Sequence, residues 1–126
     1  MKAASSEEGV TMLTDAESTT LRNLEKAIRE LRTAIDPNVP TQVVHAFLMV
    51  AQDEGQTLST YAHQLGTNIS TASRHFLDLG DQNRKLEKGY MLIDRKADPR
   101  NLRINRYFLT TKGRLLIKSL VDIREG

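Results

Sequence analysis

The sequence predicts a mainly α-helical domain that carries one small β-hairpin, which is an α+β arrangement. Three observations support this prediction: a long run with an apolar residue at every third or fourth position, two short amphipathic runs separated by a glycine-containing turn, and two apolar runs on either side of a basic turn. At 126 residues, the chain has the length of one domain with a single core.

The composition limits the classes of protein to consider. Hydrophobic residues make up 39% of the chain and charged residues 27%, which is ordinary for a soluble domain. No apolar run is long enough to cross a bilayer, and the N-terminus lacks the apolar core of a signal peptide. Because cysteine is absent, a disulfide framework and a thiolate nucleophile are excluded. We therefore expect a cytoplasmic protein with no membrane attachment.

The basic residues are concentrated near the C-terminus, although the formal net charge is only +2. Residues 90–126 carry nine Lys and Arg against four Asp and Glu, whereas residues 1–40 carry five against seven. This distribution indicates either a surface that binds a polyanion such as nucleic acid or a solvated face that keeps the protein soluble.

The first predicted helix follows a polar tail. Residues 1–13 have little to bury, so we expect them to be disordered. Thr14 and Glu17 form a capping-box pattern at the start of a helix over residues 14–36, which Asp36-Pro37 ends. Its narrow apolar stripe fits packing on a second copy of the chain as well as packing on the chain's own core. The stripe consists of Leu21, Leu24, Ile28, Leu31 and Ile35.

The middle of the chain predicts a helix-turn-helix. A central helix starts at Pro40-Thr41 and ends near residue 53, and a short helix over residues 58–65 follows it. Gly66 can supply the positive φ that ends the short helix, and Asn68 is a good N-cap for a helix over residues 69–79. Two short helices joined by a turn that contains glycine are typical of this motif.

The second helix of this motif has one apolar face and one polar face. Ala72, Phe76 and Leu79 predict its buried side, which leaves polar side chains on the outer surface near the N-terminus. Short hydrogen-bonding groups with one arginine suit contacts to base edges and phosphates in a major groove, and a face that only meets water is the alternative. The candidate DNA-binding residues are Ser70, Thr71, Ser73, Arg74 and His75.

The last third predicts a basic hairpin and a final helix. We expect a short helical piece to end at Gly89, a strand over residues 90–93, a turn over residues 97–101 and a returning strand over residues 104–109. Thr110 then caps a helix over residues 110–124. Helix, helix-turn-helix, hairpin and helix is the order of a winged helix, whose core would be residues 40–109.

Two motifs resemble those of the MarR-type winged-helix transcription regulators. The wing pattern of that family is Asp-Pro-x-Asp-x-Arg followed by Leu-Thr-x-x-Gly-Arg, and residues 98–103 and 109–114 are similar to it at the same spacing. An upstream pattern of Leu-Gly and then Ser-x-x-Ser-Arg matches Leu65-Gly66 and residues 70–74. The resemblance covers residues 40–118.

The resemblance implies a homodimeric repressor, located at the nucleoid, that binds a pseudo-palindromic operator in double-stranded DNA. Each recognition helix would enter a major groove, and each wing, residues 94–106, would reach an adjacent minor groove through Arg103. Four basic residues of the wing would hold phosphates and contribute salt-dependent affinity. Besides Arg103, the wing residues assigned to the DNA contact are Arg95, Lys96, Arg100, Asn101 and Arg106.

Three features depart from the family pattern. Asn101 stands where the family usually has an acidic residue that braces the wing arginine, so we expect a weaker contact and a looser wing. Residues 80–86 are additional, and they either extend the recognition helix by about two turns or break it at Gly80-Asp81. Relatives often have two C-terminal helices where this chain has one, which shifts dimerisation toward the apolar stripe of residues 14–36.

No pattern typical of an enzyme is present. His45, His63 and His75 lie on different predicted helices without metal-ligand spacing, and the sequence contains no phosphate-binding loop or nucleophile motif. We therefore expect no catalytic activity, cofactor or metal. Regulators of the resembled family often bind a small aromatic or phenolic effector, a question that the sequence leaves open. The alternative function is a winged helix that serves as a protein–protein interaction module in a larger assembly.

Overall fold

The computed structural model describes residues 12–82 and 87–123, and this part of the chain contains five helices and a two-stranded antiparallel sheet. The order confirms the predicted α+β winged arrangement. The predicted tail lies outside the described residues except for residues 12 and 13. Among the helices described, none has both the length and the apolar character needed to cross a membrane. The elements are α1 (Asp15–Ala34), α2 (Thr41–Gln52), α3 (Leu58–Leu65), α4 (Ile69–Leu79), β1 (Ile93–Asp98), β2 (Asn101–Leu109) and α5 (Thr111–Val121).

Side-chain caps fix where four of the helices begin. At α1, the Glu17 N–H donates to Thr14 Oγ1 at 3.1 Å and the Thr14 N–H donates to Glu17 Oε1 at 3.0 Å, which confirms the capping box. Thr57, Asn68 and Thr110 cap α3, α4 and α5 in the same way, each through its side-chain oxygen. These caps depend on residues close in sequence, and for that reason the starts of α1, α4 and α5 could be predicted.

The turn between α3 and α4 has the geometry that its glycine predicts. Gly66 has φ 69° and ψ 33°, a left-handed conformation that L side chains rarely adopt. The N–H groups of Gly66 and Thr67 donate to carbonyls of the last turn of α3, at 3.0 Å each. The chain therefore leaves α3 abruptly and starts α4 three residues later, which confirms the helix-turn-helix.

The core is built around α2, which contacts α3, α4 and β2. Its buried side chains are Val43, Ala46, Phe47 and Val50, none of them more than 1% exposed. Because α2 is covered on several sides, it serves as the fixed body on which the helix-turn-helix and the hairpin are mounted.

Three aromatic rings join the helix-turn-helix to the hairpin. The centroids of Phe76 and Tyr107 are 4.8 Å apart in an edge-to-face arrangement at 84°, and Tyr61 lies 5.3 Å from Phe76 and 6.3 Å from Tyr107. The Tyr61 hydroxyl donates to the Asp53 carbonyl at 2.5 Å and accepts the Gln56 N–H at 3.2 Å. Burial raises the pKa of Tyr61, which keeps this hydroxyl protonated. The three rings form a single contact between α3, α4 and β2.

The segment that precedes β1 differs from the prediction. The N–H groups of residues 89–92 donate to the carbonyls of residues 78–81 at 2.8 to 2.9 Å, so they satisfy the end of α4. Residues 90–92 consequently do not pair with β2, and β1 begins only at Ile93. The predicted strand over residues 90–93 is therefore wrong at all but its last residue.

The additional residues do not continue α4 as a helix. The helix ends at Leu79, because Gly80 has an extended conformation. Of the two predicted alternatives, the break at Gly80-Asp81 is the one observed. Residues 87–89 are not helical either, so the predicted helical piece ending at Gly89 is wrong in the described part of this segment; its residues 83–86 lie outside the described residues.

The apolar stripe of α1 divides into two parts. Leu31 is 4% exposed and belongs to the core, and Ile35 packs against that core. Leu21, Leu24 and Ile28, by contrast, are 52%, 58% and 48% exposed. The C-terminal part of the stripe therefore packs on the chain's own core, and the N-terminal part remains uncovered in the single chain.

The start of α5 is packed closely against the residues that precede β1. A Cβ atom on Gly113 would lie 2.2 Å from the Leu92 carbonyl oxygen, so only glycine fits there. The same carbonyl accepts the Thr110 N–H at 3.1 Å, and Thr110 Oγ1 donates to the Met91 carbonyl at 2.7 Å. Gly113 therefore allows α5 to approach the backbone between α4 and β1.

We expect Gly113→Ala to lower the free energy of unfolding by about 1–3 kcal/mol, because the added methyl group must displace backbone rather than a flexible side chain. Urea unfolding followed by circular dichroism measures the change. Thr111→Ala, at an exposed position of the same helix, is the control and should stay within about 0.5 kcal/mol of wild type. Equal unfolding midpoints for Gly113→Ala and wild type would contradict the close packing.

Candidate nucleic-acid interface

The outer face of α4 carries the polar residues predicted for it. Ser70 and Arg74 are exposed, one helical turn apart, on the side opposite the buried Ala72 and Phe76. The other three predicted residues lie closer to the flanks of this face and are half-buried. They are Thr71, Ser73 and His75.

The hairpin has an irregular tip. Residues 93–97 pair in register with residues 105–109, and Asp98 then pairs with Asn101. Residues 102–104 therefore have no partner on β1 and bulge from the sheet. The turn itself is confined to residues 99–100, so it is shorter than the predicted turn over residues 97–101.

A carboxylate at the turn holds the hairpin in shape. Asp98 is 8% exposed; its Oδ1 accepts the Arg100 N–H at 2.7 Å and its Oδ2 accepts Arg106 Nε at 2.8 Å. Arg106 Nη1 donates in turn to the Gly55 carbonyl at 2.9 Å, which ties the hairpin to the loop after α2. The Arg100 N–H, and after it the Arg106 guanidinium, hold the pKa of Asp98 below its ordinary value.

Asn101 acts on the backbone of the tip. Its Oδ1 accepts the Arg103 N–H at 3.1 Å, a bond to the main chain rather than to the guanidinium. The carboxylate that braces a hairpin arginine is instead Asp98, and the arginine that it braces is Arg106. A brace between Asp98 and Arg106 was not predicted, because the residue opposite a side chain depends on a register that the bulge alters.

The loop after α2 extends the sheet beyond the two strands. The Gly55 N–H donates to the Tyr107 carbonyl at 2.8 Å, the Tyr107 N–H donates to the Gln56 carbonyl at 3.2 Å, and Thr57 forms a bridge with Arg106. This edge could not be predicted from the sequence, since three residues are too few to show a strand pattern. The hairpin is consequently hydrogen-bonded to the body along β2.

Glu54 joins this loop to α5. Its carboxylate accepts the Leu109 N–H at 2.8 Å and binds Arg114 through two bonds, of 2.8 and 2.9 Å. Burial by itself raises the pKa of Glu54, but the hydrogen bonds from Arg114 and Leu109 outweigh it, and the net shift is downward. The Gly-Arg end of the second motif, Gly113-Arg114, is thus explained by packing and by this ion pair.

Four exposed arginines have a guanidinium group with no hydrogen-bonded or ionic partner in the described part of the chain. Arg74 lies on α4, and Arg95, Arg100 and Arg103 lie on the hairpin. Arg106 on β2 and Arg114 on α5 are by contrast each paired with a carboxylate. The remaining basic residue of the hairpin has an aromatic contact, since Lys96 Nζ lies 5.3 Å from the centroid of the Phe108 ring.

A cleft of 680 Å³ separates α4 from the hairpin. Ser73 and Phe76 line it from α4, and Arg95 and Tyr107 line it from the hairpin. α4 and the hairpin therefore flank one depression, and Ser73 is the predicted residue of α4 that lines it. No group of three His, Asp or Glu side chains among the described residues is arranged to hold a metal.

Solved structures reveal which known fold this arrangement matches. RV1404 from Mycobacterium tuberculosis aligns with a TM-score of 0.64 at 25% identity, over 97% of this chain and 78% of that chain. MepR of S. aureus, in a complex with DNA, aligns with a TM-score of 0.64 at 21% identity, over 82% of this chain and 77% of that chain. MarR itself aligns with a TM-score of 0.58 at 22% identity, over 82% of this chain and 68% of that chain. The chain has a MarR-type winged-helix fold.

Within this MarR-type fold, α3 and α4 form the helix-turn-helix and the hairpin forms the wing. The chain spans 61% of the length of the MarR family transcription regulator SP03579, to which it aligns over 81% of its own residues. No family model matches the chain, and no curated protein matches it in sequence.

The brace between Asp98 and Arg106 predicts a measurable titration. In an NMR titration, the Asp98 carboxyl should show a pKa below its ordinary 3.8. Arg106→Ala should move this pKa only part of the way back, because the bond from the Arg100 N–H remains.

A carboxylate with a lowered pKa stabilises the fold at pH above its unfolded-state pKa, and this contribution disappears as the pH falls through the folded-state value. The stability difference between wild type and Asp98→Asn should therefore shrink on acidification. A pKa at or above 3.8 in wild type would rule out the brace.

Proposed function

We propose that this chain is a sequence-specific, double-stranded DNA-binding transcription regulator that acts as a homodimeric repressor on a pseudo-palindromic operator. As the recognition helix, α4 would enter the major groove, and the wing, residues 94–106, would enter the adjacent minor groove. Support comes from the MarR-type fold and from the matching structures of MepR and of Streptococcus pneumoniae FabT, which were solved with DNA.

The observation that carries this proposal is the division of the arginines into two groups. Arg106 and Arg114 are paired with buried or half-buried carboxylates. The other group consists of exposed arginines on α4 and the wing whose guanidinium groups have no hydrogen-bonded or ionic partner in the described part of the chain, namely Arg74, Arg95, Arg100 and Arg103. Unpaired guanidinium groups on one face create a positive potential that favours a polyanion. A face that only kept the protein soluble would not require the paired arginines and the unpaired arginines to differ in this way.

The cleft between the recognition helix and the wing supports a specific docking geometry. A duplex that presents its major groove to α4 and its minor groove to the wing must pass one sugar–phosphate strand between them. We assign that strand to the edge of the cleft formed by Ser73 and Arg95, which would contact phosphates, and not to the part lined by the carboxylates of Asp81 and Asp94. Ser70 and Arg74 would then face base edges, because they are the outermost of the predicted residues on α4.

Arg106 has a different part in this proposal from the one predicted for it. Its guanidinium is bonded to Asp98 and to the Gly55 carbonyl, so we assign it to positioning the wing rather than to a phosphate. Arg103 remains the candidate for the minor groove, since its side chain is exposed and its backbone is fixed by Asn101.

The uncovered part of the α1 stripe supports a homodimer. Three large aliphatic side chains at helical spacing, Leu21, Leu24 and Ile28, are each about half exposed in the single chain. A second copy of α1 has the same spacing and would cover them. Leu31 and Ile35, predicted for the same interface, pack on the chain's own core and are not included.

The alternative function as a protein–protein interaction module predicts a different experimental result. A module of that kind would bind duplex weakly and without sequence preference, whereas a regulator must discriminate its operator from other DNA. The unpaired arginines favour the regulator, since a protein partner would have to supply several matching carboxylates in a concave surface.

Selection from random duplexes should enrich a sequence with two related half-sites. Affinity for that duplex should fall steeply with salt, because bound phosphates release counterions.

Arg103→Ala should weaken specific binding by about 1–3 kcal/mol, as measured by fluorescence anisotropy. Arg29→Ala is the matched control, because Arg29 is an exposed arginine of α1 that is paired with Glu25, and it should bind like wild type. Failure to enrich any sequence would refute the proposed function, and wild-type affinity of Arg103→Ala would refute the role of that residue.

Leu24→Glu should convert the dimer into a monomer, because it places a charge at the centre of the proposed interface. Sizing chromatography with light scattering measures the mass. Thr33→Glu is the control, since Thr33 is exposed on the opposite side of α1 and should leave the dimer intact. A monomeric wild-type protein at micromolar concentration would contradict the proposed dimer.

A further inference from the structure

We propose that Leu102 at the tip of the wing is a wedge that inserts into the minor groove and partly unstacks a base step. This inference rests on the proposed function as a DNA-binding regulator and adds a residue that neither the motif nor the charge pattern indicates. It assigns the wing two separate tasks, an electrostatic task for its arginines and an apolar task for Leu102.

The first observation is the exposure of Leu102. Its side chain is 75% exposed, whereas the apolar residues Tyr107 and Leu109 of the same strand are each 8% exposed. Leu102 also lies in the bulge of residues 102–104, which have no partner on β1. It therefore contributes nothing visible to the core or to the pairing of the hairpin strands.

The second observation is that the backbone around Leu102 is held in place from both sides. Asp98 Oδ1 accepts the Arg100 N–H at 2.7 Å, and Asn101 Oδ1 accepts the Arg103 N–H at 3.1 Å. Asp98 is anchored in turn by Arg106. A backbone fixed in this way needs less ordering when Leu102 is buried by a partner, and that lowers the entropy lost on binding.

The third observation is the charge around Leu102. Arg100 and Arg103, its neighbours in the tip, are exposed and have no side-chain partner among the described residues. The partner must therefore offer negative charge on its rims and an apolar surface between them. A minor groove has this chemistry, since two phosphate rows flank the sugars and the base edges, and leucine is among the side chains that proteins insert between base steps there.

The wedge has a consequence for the operator. Pyrimidine–purine steps unstack and kink most easily, so they should be enriched at the position that the wing tip contacts, even where no hydrogen bond reads the bases. Sequence preference at that position would thus come from the deformability of the duplex.

The test uses the full-length protein and the duplex selected by wild type, with 2-aminopurine placed at the step nearest the wing. Leu102→Asn should weaken binding on the order of tenfold, because a buried leucine side chain is lost. It should leave the slope of log affinity against log salt unchanged, because Leu102 neutralises no phosphate. The 2-aminopurine fluorescence, which rises on unstacking, should increase with wild type and not with Leu102→Asn.

Two further variants serve as matched controls. Leu102→Met keeps a flexible apolar side chain and should restore both the affinity and the fluorescence change. Arg100→Ala should reduce the salt slope by about 1 while it retains the fluorescence change.

The outcomes separate this inference from the proposed function. If wild type selects no duplex, the proposed function fails and the wedge fails with it. If wild type binds a selected duplex and Leu102→Asn binds it with equal affinity and an equal fluorescence change, only the wedge is overturned. A reduced salt slope for Leu102→Asn would also overturn the wedge, because the loss would then involve phosphate contacts. Stronger Leu102-dependent binding to vesicles of anionic phospholipid than to duplex would assign the tip to a membrane surface instead.

Discussion

The edge-to-face contact between Phe76 and Tyr107 sets the distance between the recognition helix and the wing, and the proposed DNA contact depends on that distance. Tyr61 completes the contact from α3, with its hydroxyl bonded at both sides to the loop after α2. All three rings are at least 92% buried, since the most exposed of them, Tyr107, is 8% exposed. Close-packed rings cannot shift relative to one another without opening a cavity, so the two elements move as one body. The width of the cleft between them follows from this packing.

Carboxylates determine which arginines are available to a ligand. Asp98 and Glu54 bind Arg106 and Arg114. Arg106 attaches the wing to the loop after α2 through its second bond, to the Gly55 carbonyl, and the pair of Glu54 with Arg114 attaches that loop to α5. The motif shared with MarR-type regulators is therefore largely structural in this chain: an acidic turn residue, a helix cap, a glycine at a close approach and an arginine at an ion pair. Arg74, Arg95, Arg100 and Arg103 have no such structural contact in the described part of the chain, so they are available to bind a ligand.

Much of the fold could be predicted from local features of the sequence, whereas features that depend on contacts between distant residues could not. The caps at Thr14, Asn68 and Thr110 and the left-handed Gly66 depend on neighbours within a few residues, so the helix starts and the helix-turn-helix could be predicted. The start of β1 could not, since the residues before it hydrogen-bond to the end of α4 instead of to a strand. The role of Arg106 could not be predicted either, because its partners are eight and 51 residues away in sequence. The exposure of Leu102 depends on a bulge that alternating patterns do not show.

Hydroxyl-radical footprinting of the selected duplex tests the central claim most directly, namely that the recognition helix and the wing of each protomer contact one duplex together at a fixed separation. We predict two symmetric half-sites in which protection by the recognition helix is followed, at a constant spacing, by protection of the outer minor groove. In Tyr107→Leu the outer protection should weaken relative to the inner, since the contact with Phe76 is lost. Protection without half-site symmetry, or an outer protection that Tyr107→Leu leaves unchanged, would contradict the account.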